Sequence, residues 1–429
     1  MDWKKLFTVR DPEATLESLL PAFEYNGKAF DPAWWRRSEC ELGPDHIRVE
    51  FLSPDSRLTL RLDIRFYPEF DAVYYTPSLV SACDAASGIV ANFRALAWRS
   101  RVPRDPNLGQ GSESRTVMLR RNYGTKSNYL DFAAQNLALT SGGCPNIREG
   151  HHVVMAADEG RSAASWLPFW AADFAPDDGV LIGLGWSGAW RAEIELNREG
   201  IFSMDVGMLA THFRVEAQET LRNIAVLVCF REGMGAAAGQ NRFRRLLTEH
   251  FAVKNHWPEE RPVLPVVQPV FGGIATQTHL DFLRLYEKYH YPTELVGIDA
   301  GWYGYGYHAD VFTPTWAQET GNWRVNAAHP DGLKPITDAI TRLGAKSYLW
   351  CEFERACPYT DLVREHPDWF VECNDLMLNL GNPEALRWMT DFTIRFFHDN
   401  NLYQIQQDFN FNTLPHWEKL DTPERIGVA

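Results

Sequence analysis

The hydrophobic period of this chain changes once, and the change divides it into two kinds of structure. Up to about residue 250, short runs alternate apolar and polar residues at period two. Residues 57–65 read RLTLRLDIR, and Ala192, Ile194 and Leu196 alternate with Glu193 and Glu195. Such alternation turns one face of a strand to a core and the other to water. Gly, Pro, Asn and Asp clusters break the runs, as at Pro103–Ser112 and Asp177–Gly179. Many short strands so punctuated predict a β-sandwich. Phe243, Leu246, Leu247 and Phe251 then recur at helical spacing and predict a closing helix over about Gly239–Phe251.

Beyond the linker-like stretch Trp257-Pro258-Glu259-Glu260-Arg261-Pro262, strands and helices alternate. Strands are predicted at Val266–Phe271, Glu294–Asp299, Lys346–Glu352 and Tyr403–Asp408. Between them, Thr278 caps a helix with Asp281 at the capping-box position. Leu333, Ile336, Ile340 and Leu343 line another helix, which Gly344 stops. Asn382-Pro383-Glu384 starts a third, running to about Asn400, with an N-cap, Pro at N1 and an acid in the first turn. This alternation implies a parallel sheet, either doubly wound or a (β/α)8 barrel. Asp299, Glu352 and Asp408 stand at three successive strand ends, which in a barrel converge on one rim, and this favours the barrel. The expected division is a sandwich over 1–250, a linker over 251–262 and a barrel portion over 263–429.

Several function classes are excluded on chemical grounds. A net charge of -14 argues against a phosphate-backbone footprint, so no nucleic-acid partner is expected. No apolar run approaches ~20 residues, and none of signal-peptide length follows Met1, so no membrane partner is expected. Seven scattered cysteines suggest reduced thiols and a cytoplasmic location. Cys357, His366 and Cys373 fit no zinc spacing, and no metal or organic cofactor is expected. Gly183–Gly188 spells G-x-G-x-x-G, but a strand pattern follows where a dinucleotide site needs a helix. The 16 Trp suit either a sandwich core or stacking on sugar faces.

From about residue 160 onward a series of motifs stands in order: Gly185-Trp186-Ser187-Gly188-Ala189-Trp190, Ile298-Asp299-Ala300-Gly301-Trp302, Gly321-Asn322-Trp323 with Pro330-Asp331-Gly332-Leu333, Leu349-Trp350-Cys351-Glu352, Leu378-Asn379-Leu380-Gly381-Asn382-Pro383, and Gln406-Gln407-Asp408-Phe409-Asn410. Together they resemble glycoside hydrolase family 36, the melibiase-type α-galactosidases. The resemblance implies a multidomain fold: an N-terminal supersandwich-like β-sandwich, then a (β/α)8 barrel truncated at about half. It implies a retaining, exo-acting α-galactosidase without a cofactor, whose partner is an oligosaccharide or glycoside and which leaves a homo-oligomer open. Asp408 matches the nucleophile, Asp299 an acid that grips sugar hydroxyls, and Trp350 a wall of the sugar pocket. Trp302, Gln406 and Asn410 complete the substrate-binding set.

Two departures bear on the sugar. Ala300 stands where the family has a second Asp, and Gln406 where it has a Lys. Each removes a polar partner that discriminates among sugars. N-acetylgalactosaminides and arabinopyranosides therefore stay open as substrates, as do galactosyl transfer and a carbohydrate-binding pseudoenzyme. Retention also requires a second carboxyl ~5–5.5 Å from the nucleophile. No residue present matches the family's acid/base Asp, which is expected beyond Ala429. The fragment is accordingly expected to be inactive alone and, with sheet edges uncovered, poorly soluble.

Overall fold

A computed structural model describes residues 20–102, 115–141, 151–252, 266–270, 275–306 and 314–428. The chain divides into two compact units, Met1–Ala252 with Leu420–Ala429, and Val253–Lys419. The predicted linker, past residue 252, lies outside the described residues.

The first unit is built from two antiparallel sheets. The larger runs Arg36–Gly43, His46–Leu52, Leu58–Tyr67, Ala72–Ser81, Ala225–Glu232, Asp178–Gly185, Trp166–Ala175, Arg115–Tyr123 and Ala134–Ser141, with Thr220–Arg222 beside Ala72–Ser81. The smaller centres on Val90–Arg101, Ile201–Met208, Trp190–Leu196 and His151–Ala156. Period-two patterning does what it implies: Leu58, Leu60, Leu62 and Ile64 are buried while Arg61, Asp63 and Arg65 face out. Both sheets supply one core, in which Trp170 stacks on Trp190 at 5.9 Å and the Tyr75 hydroxyl donates to the Ala95 carbonyl at 3.0 Å. The glycine motif at Gly183–Gly188 spans the end of the strand Asp178–Gly185 and the connection to Trp190–Leu196 in the other sheet, with no helix after it.

The closing helix spans Ala236–Leu246 and ends in a π-helical turn, Leu247–Phe251. It starts three residues before the sequence suggested. Phe243 and Leu246 cover Phe70, Ala72, Leu181 and Leu227 on the outer face of the larger sheet. At its edge, Arg231 is 1% exposed and pairs with Asp173 at 2.6 Å. Arg231 also donates to the carbonyls of Pro176 and Asp178, and Arg120 completes the pairing of Asp173. A buried ion pair persists only with its remaining donors and acceptors so matched.

The second unit contains a four-stranded parallel sheet in the order Val266–Val267, Leu295–Ile298, Lys346–Cys351, Gln404–Gln407. Its helices are Thr276–Lys288, Lys334–Arg342 and Pro383–Asp399. Three strands lie within their predicted bounds but are shorter; the first keeps only two residues, and its predicted end, Phe271, lies outside the described residues. Asn382 caps the last helix, accepting from the Glu384 amide at 2.9 Å. Gly344 holds φ +77°, the left-handed conformation a C′ stop needs. Thr278 does not cap the first helix: the helix begins at Thr276, Ala275 occupies the cap, and Asp281 instead accepts from Gln277 and Arg284.

Two features had no forecast. Arg355–Ala356, Leu376–Leu378 and Phe370–Glu372 form a small antiparallel sheet. Leu420–Ala429 belongs with the sandwich rather than with the barrel portion, because Arg425–Ile426 pairs with His212–Phe213 and Arg425 forms a two-armed ion pair with Glu219. Among the described residues no helix is long and apolar enough to cross a membrane.

Candidate active site

The site grows from the C-terminal ends of three adjacent parallel strands. The register pairs Ile298 with Leu349 and Trp350 with Gln406. Asp299 therefore stands one residue past the ladder on its strand, level with Trp350. Parallel neighbours in register project from the same face, so Asp299, Trp350 and Gln406 share one. Asp408 is the first residue beyond Gln404–Gln407, and its amide donates to the Cys351 carbonyl at 2.8 Å.

Three donors hold the half-buried Asp408 carboxylate. The Trp350 indole Nε1 reaches Oδ2 at 2.9 Å, and the Asn410 side-chain amide reaches the same oxygen at 2.8 Å. The Phe409 backbone N–H meets Oδ1 at 2.9 Å. A carboxylate offers about four lone-pair positions, so this set fixes its orientation and leaves Oδ1 the less occupied oxygen.

Trp350 is held from several sides. Its carbonyl accepts from the Trp302 indole at 2.9 Å, its ring lies parallel to Tyr303 at 6.1 Å, and Trp316 meets it edge-on at 5.2 Å. Trp302 is fully buried, at 0% exposure. It was expected in the substrate-binding set; its N–H is spent on the Trp350 carbonyl and its ring lies inside the core. Asn326 supports the same loop, donating from its side chain to the carbonyls of Gly301 and Tyr303 at 2.7 and 3.1 Å.

Of the other expected residues, Asp299 is buried at the strand end, Gln406 is exposed, and Asn410 is exposed and bonded to Asp408. Asp408, Trp350 and Asn410 therefore form one hydrogen-bonded group, with Gln406 two residues earlier on the strand of Asp408 and Asp299 on the strand beyond Trp350. Ala300 is buried among apolar side chains.

Sequence reasoning noted Glu352 as a strand-end acid but gave it no role. It is 0% exposed, accepts from the Asn410 backbone N–H and receives Arg355 Nη1 at 2.9 Å. Arg355 also approaches Asp375 at 3.4 Å. Burial pushes the Glu352 carboxyl up to about 7, against the opposing pull of Arg355. The Asn410 residue that grips Asp408 is thus itself tethered from behind. The spacing of Glu352 and Arg355 was visible in the sequence, but their link to residue 410 was not.

Comparison with known proteins gives this geometry a context. Residues 223–414 match the family profile described as Melibiase. "Probable alpha-galactosidase C" of Aspergillus flavus is 27% identical over 250 residues, covering 53% of this chain and 32% of the relative. "Probable alpha-galactosidase G" of Emericella nidulans is 21% identical over 390 residues, covering 84% and 49%. In fold, the chain is similar to a variant of the GH36 alpha-galactosidase AgaA from Geobacillus stearothermophilus, solved in complex with raffinose. That similarity has a TM-score of 0.67 at 15% identity and covers 91% of this chain and 55% of the other. The chain thus spans about half the length of the fuller matches. The motifs stand in order and the profile covers the strands that carry Asp299, Trp350 and Asp408, so residues 223–414 are similar to the melibiase family, glycoside hydrolase family 36.

Proposed function

We propose that this chain contributes the sugar-binding and nucleophile-bearing part of a retaining, exo-acting α-galactosidase. The parallel sheet of the second unit then forms the first half of a (β/α)8 barrel, and its strand ends form half of the active-site rim. The observation that carries the reading is the Asp408 carboxylate, held by Trp350, Asn410 and the Phe409 amide at a strand end. Those donors leave Oδ1, which accepts only the Phe409 amide, the oxygen better placed to approach an anomeric carbon.

Asp408 attacks that carbon, the glycosidic bond breaks, and the leaving oxygen takes a proton from a second carboxyl outside this chain. Water, deprotonated by the same carboxyl, then releases the sugar from Asp408 with net retention. Asp299 accepts hydrogen bonds from sugar hydroxyls, and Gln406 and Asn410 offer amide partners at the rim. Terminal α-galactosides are the substrate class that the family resemblance and these residues favour together.

The test is hydrolysis of nitrophenyl α-galactoside by the complete gene product, beside Asp408→Asn. Wild-type release with a silent variant supports the reading. Undiminished release by Asp408→Asn overturns the assignment of the nucleophile, and no release from any α-galactoside overturns the substrate class.

A further inference from the structure

The larger sheet of the sandwich carries a second concave surface, lined by none of the residues around Asp408. Its outer face is only partly covered by the closing helix; beside that helix lies a cavity of about 370 Å³. Four strands build its floor through their register. His46 pairs with Arg65 and Arg65 with Tyr74; Arg48 pairs with Asp63 and Asp63 with Thr76; Ser78 pairs with Arg222. All of these side chains project away from the core, because their neighbours along each strand are the buried Val49, Leu62, Ile64, Val73, Tyr75 and Leu79.

The charges are unbalanced. Arg48 grips Asp63 with two arms, at 2.7 and 3.2 Å. Arg65 and Arg222 have no hydrogen bond or ion pair among the described residues, and both remain exposed. Two uncommitted guanidinium forks thus face one cavity, in a chain whose overall charge is -14. Between them stand the hydroxyls of Tyr74, Thr76 and Ser78, with no hydrogen bond of their own among the described residues. Burial and the neighbouring charge of Arg65 lower the His46 pKa, so its imidazole stays neutral and offers one donor and one acceptor.

The geometry points to a binding site for a phosphorylated monosaccharide, with Arg65 and Arg222 at opposite ends of the row Tyr74, Thr76 and Ser78, one holding the phosphate and the other joining the hydroxyls in meeting the sugar. Planar guanidinium forks match phosphate oxygens in pairs. The cavity volume sits at the small-ligand end of the range for such sites. A lone inorganic anion would use one arginine and leave the hydroxyl row idle.

The test is calorimetric titration of the complete gene product in phosphate-free buffer with glucose 6-phosphate, glucose and inorganic phosphate. Glucose 6-phosphate should bind saturably and more tightly than either fragment, and weaken as salt screens the arginines. Arg65→Gln and Arg222→Gln should each weaken it by about tenfold or more, the loss expected for a hydrogen bond to a charged group. Thr76→Val should weaken the sugar phosphate but not phosphate itself. Asp408→Asn should leave binding unchanged, which separates this site from sugar binding beside the nucleophile. No saturable binding, or arginine variants that bind as wild type, would overturn the proposal. Equal affinity for inorganic phosphate would overturn the sugar-phosphate class.

Discussion

Replacing Glu352 by Gln should change how stability depends on pH, by an amount the structure sets. In the folded chain the Glu352 carboxyl titrates at about 7, against an ordinary value of 4.5, chiefly because burial penalises its charge. The folded state therefore holds this proton more tightly than the unfolded chain does. Below pH 4.5 both states are protonated and the group costs nothing. As pH rises from 4.5 to 7 the unfolded chain gives up its proton first, and folding stability falls. At 1.36 kcal/mol per pKa unit the loss is about 3 kcal/mol, complete once pH exceeds 7.

Gln keeps an oxygen for the Asn410 amide and carries no charge at any pH. Its amide donors face Arg355, which adds a constant offset but no slope. The stability of Glu352→Gln minus that of wild type should therefore grow by about 3 kcal/mol between pH 4.5 and 7.5. Paired urea melts followed by Trp fluorescence measure the difference, with hydrogen exchange over residues 346–353 to confirm that this region responds. A difference that stays flat over that range would refute the argument. It would mean that Arg355 and the Asn410 amide stabilise the charged carboxylate as much as burial penalises it.

Other expectations follow from single contacts. Trp350→Phe keeps the ring beside Tyr303 and Trp316 but deletes the donor to Asp408; kcat of the complete enzyme should fall by about tenfold or more, with near-UV dichroism preserved. Asn382→Ala removes a cap that binds the Glu384 amide and should cost about 1 kcal/mol in a urea melt, with no effect on sugar affinity. Asp173→Ala strands the buried Arg231 and should destabilise the sandwich by about 3–5 kcal/mol, seen as a lower melting temperature.

Local chemistry explains what was legible in the sequence. Asn382-Pro383-Glu384 announces a helix whose cap, first residue and first-turn acid are all where those types belong. The alternation over residues 58–65 encodes a half-buried strand without reference to anything distant. Short apolar runs ending at Ile298, Cys351 and Gln407 mark the strands, and the structure sets those of Asp299 and Asp408 on either side of Lys346–Cys351.

What failed to show was non-local. Nothing near Arg425 says that it will pair with Glu219, two hundred residues earlier, and draw the last residues to the sandwich. Glu352 and Asn410 lie far apart in sequence and meet only because two strands become neighbours. Trp302 was expected in the substrate-binding set because Trp suits both sugar stacking and packing; its burial and its bond to the Trp350 carbonyl come from residues distant in sequence. Thr278 was a plausible cap, but the helix gains a further turn position by starting at Thr276, whose amide bonds the Ala328 carbonyl.

The nucleophile is the central claim, and trapping it tests the claim most directly. The complete gene product would be incubated with an activated fluorogalactoside that forms, but only slowly releases, a glycosyl-enzyme. Digestion and mass spectrometry then locate the added sugar. The account predicts one label, on the Asp408 carboxylate, and none on Asp408→Asn. A stable label on another carboxylate, or turnover with inversion and no trapped species, would contradict it.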